Sequence, residues 1–411
     1  TVLRGDLTVN GSLSIVGTLN TKYGSATDRN LTVTNGTTVS GTLTCNASTL
    51  NLGIAYTNSN PSLYISAGGT FNGGTGNHNI GNFQMISSTV TFSTGTTTFS
   101  TRNASSYGSF YRNGGTFTHT GGKIVFGDTG NEPRILMRNN TTFYEMEVDG
   151  ANPLSTFTWG EEYTLTITTD LTIKNGTFDT SNNGAEELDL TVTRTCTVGD
   201  GTGAAGTAIL DGDAGNMSFG SLVIANDGKY IGSSATTTIT GGASITANRC
   251  MKVSTTGVFE HSNGTLNITG TDWGGSNYAH LWVPDGFEFG NITINAGGAD
   301  AKYYQFREGS GTMNFNDVYC KSGEWRDYNN NNTFNVRGNV EIGTRYGGGT
   351  NAAFFGSDAR DNAYTTKLIV AGVVTNYLNG QFHVPYGTDG NDGCKIGGLR
   401  NVGGTVYGDT A

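Results

Sequence analysis

Residues 219–224 read FGSLVI, Phe219 through Ile224, and the spacing of their apolar members decides the fold. Side chains alternate along a flat strand, so Phe219 would point away from Leu222 and Ile224, three and five places later. A corner just after Phe219 removes the conflict, and all three side chains can then enter one interior. The same Phe-x-x-Φ-x-Φ spelling, with Φ apolar, returns as FYEMEV from Phe143, FGNITI from Phe289 and FNDVYC from Phe315. A chain that keeps turning with its apolar residues inward is a solenoid coil rather than a sandwich strand.

A second signature interleaves with the first, a Gly-x-aromatic step followed by a polar turn and an apolar alternation. It reads GTFTHTGGKIVF from Gly115, GTFDTSNNGAEELDL from Gly176, GVFEHSNGTLNI from Gly257 and GEWRDYNNNNTFNV from Gly323. Together the two signatures predict an interior stack of Phe117, Phe143, Phe178, Phe219, Phe259, Phe289 and Phe315. Each coil is expected to take about 20–30 residues and to add one inter-strand step of about 4.8 Å.

The first residues carry a shorter ruler. Gly5, Gly11 and Gly17 lie six apart, as do Leu7, Leu13 and Leu19, so GDLTVN, GSLSIV and GTLNTK each read as one short strand and a glycine-assisted corner. The expected organisation is a hexad-type segment over 1–53, a parallel β-helix shaft with loop insertions over 54–374, and an irregular cap or assembly segment over 375–411. The longest aliphatic run, Leu368–Val374, is too short to span a bilayer and reads as a buried strand.

Composition agrees with an all-β chain. With 64 glycines, 5 prolines, 14% charged residues and abundant Thr, Asn and Ser, it suits strands and turns better than helices. Apolar residues at 35% and aromatics at 10% fall in alternating runs that can build a core, which excludes disorder. A net charge of −10 with no Lys/Arg cluster excludes a nucleic-acid or anionic-membrane surface. Cys45, Cys196, Cys250, Cys320 and Cys394 are widely spaced with no CxxC, so they read as small apolar core residues rather than a disulfide or zinc scaffold. The alternative fold is an array of β-sandwich modules, but Trp159, Trp273, Trp282 and Trp325 do not recur at a domain period. The reading is a right-handed parallel β-helix.

GTFTHTGGKIVF followed by TTFYEMEV, and then TLTITTDLTIKNGTFDT, resembles the repeats of β-helical surface and fibre proteins of bacteria and their phages. The likeness covers roughly residues 110–345 and is one of repeat style, as in adhesin-like, tail-fibre-like or tailspike-like chains. It implies an extracellular setting, on a virion or a bacterial surface, among other virion or surface proteins. Hexads also occur in intertwined multi-chain β-structures, so self-association as a homotrimer or filament is expected, without membrane insertion.

The chemistry-bearing residues point away from catalysis. His119 and His261 occupy the same place in two repeats, which suits a repeated turn and not a unique active site; His78, His280 and His383 sit in loop-like text. Glu161–Glu162 and Glu186–Glu187 would point to opposite faces of a strand. Asp211 with Asp213 and Asp389 with Asp392 are the candidate ligands for Ca²⁺, the one cofactor considered, although neither stretch completes a known calcium loop; Asp358 with Asp361 is a further carboxylate pair. Trp273, Tyr278, Trp282, Trp325, Tyr328 and Tyr346 lie beside Asn, Asp and Gly, the mixture that meets both faces and hydroxyls of a sugar, and are the candidate glycan contacts. Arg4-Gly5-Asp6 leads straight into the first strand and reads as chance. The threonine runs TGTTTFST and ATTTITGG resemble flat ice-binding ladders but do not repeat at one coil period, so solvent-facing strand positions account for them. The expected function is that of a structural and adhesive protein with no catalytic residues; a polysaccharide depolymerase, lyase or hydrolase, is the alternative on the same scaffold.

Overall fold

The structure, a computed structural model, describes residues 1–24, 27–53, 61–100, 108–127, 134–151, 153–158, 162–181, 188–242, 249–270, 272, 278–295, 303–306, 311–327, 332–343, 353–355, 367–384 and 393–407. Among these residues every regular element is a strand, and the stacked strands run parallel, a β-solenoid. No described helix is long and apolar enough to cross a membrane. The chain divides into two compact units, residues 1–193 with 198–203 and 207–215, and residues 194–197 with 204–206 and 216–411.

The hexads open the first unit, and each forms one side of a three-sided coil. Leu7–Val9, Leu13–Ile15 and Thr18–Asn20 begin a first, a second and a third sheet. The next turn stacks on them in register, Leu7 on Leu31, Leu13 on Thr37 and Thr18 on Thr42. The first sheet then climbs from Leu31 through Leu50, His78, Thr97, Ile124 and Met146 to Leu171. One return takes as few as 19 residues, Leu31 to Leu50, and another 28, Leu50 to His78. Length changes are absorbed between strands, so the register survives. Some corners admit only glycine: Gly115 has φ +75°, and a Cβ there would collide with the Ser88 carbonyl of the preceding coil.

Aromatic rings stack from coil to coil. In the first unit Phe99 meets Phe126 at 5.4 Å and Phe83 meets Phe110 at 5.4 Å between ring centres. Burying a phenylalanine contributes roughly 1.5–3 kcal/mol, and each ring pair about 0.5–1.5 kcal/mol more.

In the second unit the stretch FGSLVI behaves as its spacing requires. Within strand Met217–Ile224, the part up to Phe219 pairs with Thr237–Ile239, whereas Leu222–Ile224 pairs with Met251–Val253. The change of partner at Gly220–Ser221 is the corner, and Phe219, Leu222 and Ile224 are all fully buried. Phe289 and Phe315, one coil apart, stack at 4.9 Å with their planes 5° from parallel. Of the seven expected stack residues, Phe143, Phe178, Phe219, Phe289 and Phe315 are buried. Phe117 and Phe259 are half-buried, while their rings still touch Phe92 and Tyr230.

Three local expectations are corrected. Leu368–Val374 lies in strand Lys367–Tyr377, but it is half-buried rather than buried: Leu368, Val370 and Val374 face the core while Ile369 and Val373 are exposed. The tail beyond it is regular where described, because Gly380–His383, Cys394–Val402 and Thr405–Tyr407 continue the parallel pairing. Its glycines hid the strand pattern. His78, His280 and His383 lie on strands and not in loops. Four cysteines are buried and Cys394 is half-buried, all as free thiols. Burial pushes the thiols of Cys45, Cys196 and Cys250 far above the ordinary range, and that of Cys394 up to about 11.

Candidate functional site

The strongest candidate lies in the second unit, on strands Arg249–Val253 and Tyr278–Trp282. In RCMKV a strict alternation would send Arg249 and Lys252, three apart, to opposite faces. The register shifts between Arg249 and Met251, so Cys250 and Met251 both enter the core. Arg249 and Lys252 consequently share the outer face. The next coil sets Trp282 beside Lys252 and His280 beside Arg249.

The Lys252 Nζ lies 5.3 Å from the centre of the Trp282 ring and the Arg249 Cζ 5.9 Å from it. At these distances the ring quadrupole attracts both cations. His280 lies 6.2 Å from the same ring with its plane 11° from parallel. Trp282 is half-buried, and its indole N–H has no hydrogen-bond partner among the described residues. Neither cation meets a carboxylate among them.

Four other described cations are neutralised by carboxylates of the chain. In the first unit, Lys123 contacts Glu145 at 3.0 Å and Glu147 at 2.9 Å, and Lys174 reaches Glu147 at 2.8 Å. Burial alone pushes the Glu147 carboxyl up, but hydrogen bonds from Lys174 and Lys123 outweigh it and hold the group below its ordinary range. In the second unit Lys229 pairs with Glu260 and Arg337 with Glu288. Two cations over an aromatic ring, with no carboxylate against them among the described residues, form a surface suited to an acidic ligand with an apolar face, as in a uronate or a sulfated sugar.

The sequence-chosen site residues fare differently. Trp282 belongs to this patch, and Tyr278 begins the same strand. Trp325 is 1% exposed and packs edge-on against Phe315, so its ring is core and offers no platform to a sugar. Trp273, Tyr328, Tyr346, Asp389 and Asp392 lie outside the described residues, as do Glu161, Glu186, Glu187, Asp358 and Asp361. Asp211 accepts the Asp213 N–H at 3.2 Å, and Asp213 takes φ +41°, a turn closed by its own carboxylate. Among the described residues no three His, Cys, Asp or Glu side chains converge in a way that could hold a metal ion.

The repeated histidines differ in what they hold, His119 reaching the next coil and His261 closing its own turn. His119 Nδ1 accepts the Tyr144 N–H at 3.0 Å, and His261 Nδ1 accepts that of Asn263 at 3.1 Å. A cavity of about 10 Å³ beside His261 and Ser233 has room for a water but not for a sugar ring. In the Arg-Gly-Asp stretch, Arg4 lies over the Tyr23 ring at 4.9 Å and Asp6 accepts the Asn30 N–H at 2.9 Å. Asp6 is thus engaged within the chain, and Arg4 rests on a ring as Arg249 and Lys252 do. Sequence reading missed Arg249 and Lys252 because only the bulge puts them on one face.

No protein-family model, curated protein or solved structure matches the chain.

Proposed function

We propose that this chain is a structural and adhesive β-solenoid, a subunit of an extracellular appendage such as a phage or viral fibre or a bacterial surface filament, that attaches to acidic cell-surface glycans. One observation carries the adhesive part: Arg249 and Lys252 are held on the Trp282 ring without a carboxylate to neutralise them among the described residues. Keeping two like charges together costs stability, and an anionic ligand offsets that cost. The indole supplies an apolar surface for sugar C–H groups. The stacked coils supply a rigid support, so little ordering entropy opposes binding.

A glycan array with uronate, sulfated, sialylated and neutral members tests this. Binding to acidic members that weakens with salt is expected, with Trp282→Ala lowering affinity about tenfold or more. Equal binding to neutral members, or to none, overturns it. Release of new reducing ends or unsaturated uronates would replace it with the depolymerase reading.

A further inference from the structure

The third sheet of the first unit carries a feature that its threonine-rich text conceals. Five strands, Thr18–Asn20, Thr42–Thr44, Thr70–Asn72, Thr89–Thr91 and Thr116–Thr118, stack in parallel and in register. The middle residue of each points toward the core, and the two flanking residues point outward. The first residue is threonine in all five strands. The third is threonine in three, and asparagine at Asn20 and Asn72. The outer face is therefore a two-column lattice of ten small polar side chains, with no charge and no aromatic ring among them. Neighbours are about 4.8 Å apart along a column and about 6.6 Å apart across the strand.

The hydroxyls of this lattice are free. Elsewhere threonines bond to the backbone of a neighbouring coil, as Thr21 does to the Cys45 carbonyl, Thr169 to that of Tyr144 and Thr180 to that of Asp211. None of the eight lattice hydroxyls bonds to another group among the described residues. Threonine on a strand is stiff about χ1, so hydroxyls and methyls are held in place before any ligand arrives.

We infer that this face binds ice. An uncharged lattice is complementary to an uncharged occupant, and its regular repeat fits an occupant that itself repeats in two dimensions. A small soluble ligand would touch one or two positions, each worth only about 1 kcal/mol net. A crystal face can engage the eight threonines together, so weak contacts add as they do in multivalent binding. Crystalline polysaccharide is the other solid of this kind, but its pyranose faces call for aromatic platforms, which this face does not have. Ice presents oxygens that both donate and accept, at repeats in the range of the two spacings here, and a threonine hydroxyl can also do both. The methyl groups fill the space between and order the bridging water.

The test uses the full chain, labelled with a fluorophore and offered to a slowly growing ice hemisphere, with crystal shape recorded near the melting point. Incorporation into the ice and faceted crystals are expected. Thr70→Tyr, at the centre of the lattice, and Thr89→Tyr, on its exposed side, should each abolish incorporation with an unchanged circular dichroism spectrum. Thr98→Tyr, on the outer face of the first sheet, should leave it intact. Exclusion of the wild-type chain from ice, as for a carrier protein, overturns the inference. So does full incorporation of folded Thr70→Tyr and Thr89→Tyr. Wild-type chain that pellets with crystalline cellulose or chitin but not with ice overturns it in favour of a polysaccharide surface.

Discussion

Two sets of charged side chains occupy comparable places on stacked parallel strands, and they are finished in opposite ways. Around Glu147 in the first unit, the two lysines from coils on either side close on one carboxylate, and every charge has an internal partner. Around Trp282 in the second unit, Arg249 and Lys252 rest on a ring, and no described carboxylate answers them. A solenoid makes such contrasts easy, because register places each outward residue directly on that of the next coil, where opposite charges stabilise and like charges repel. The lesson is that a group satisfied within the chain carries stability, whereas a group left open on the same scaffold is free to serve a partner.

That distinction breaks most readily at the fully closed end. Phe219→Asp places an unpaired charge under the corner of FGSLVI, where the side chain is fully buried. A loss of about 4 kcal/mol or more is expected, and denaturant melts of the two proteins check it. Coincident melts would mean that Phe219 is not interior.

Next in size is the buried histidine. Burial holds His119 down to about 4, against an ordinary 6.5, despite hydrogen bonds that favour its charged form. As pH falls through 6.5 the unfolded chain takes up the proton first, so stability is lost between about 6.5 and about 4, by up to roughly 3 kcal/mol. His78 is lowered for the same leading reason and adds to the same trend. In thermal melts from pH 7 to 4, His119→Asn should flatten part of this decline, since its amide oxygen can still accept the Tyr144 N–H. An unchanged profile would remove His119 as a cause.

The smallest effect sharpens the comparison directly. Glu147→Gln leaves two lysines facing a neutral amide. Glu147 is 9% exposed and the lysines about a third exposed, between a buried and a surface pair. A cost of about 1–2 kcal/mol is expected. Lys252→Gln should change stability by no more than about 0.5 kcal/mol in either direction. Equal losses in the two variants would erase the difference between closed and open sites.

Much of this architecture could be read from particular residues. Phe219, Leu222 and Ile224 cannot share a flat strand's face, so their spacing alone implies the corner. The hexads implied one short strand and a corner each, because Gly5, Gly11 and Gly17 recur at the same six-residue spacing as Leu7, Leu13 and Leu19. The candidate sites were much less legible. Trp325 stands in polar text but turns inward onto Phe315, since local composition does not report direction. The threonine lattice draws one short step from each coil, with long stretches of sequence between, so runs such as TGTTTFST drew attention to the wrong threonines.

By itself the sequence determined the strand, the corner and the inward set of apolar residues, because these depend on side-chain alternation and backbone freedom within a few neighbouring positions. Only the tertiary structure decided which outward residues meet. That depends on how many residues each coil spends before it returns and on single bulges such as the one at Arg249–Met251, which are long-range consequences of packing that no local pattern encodes.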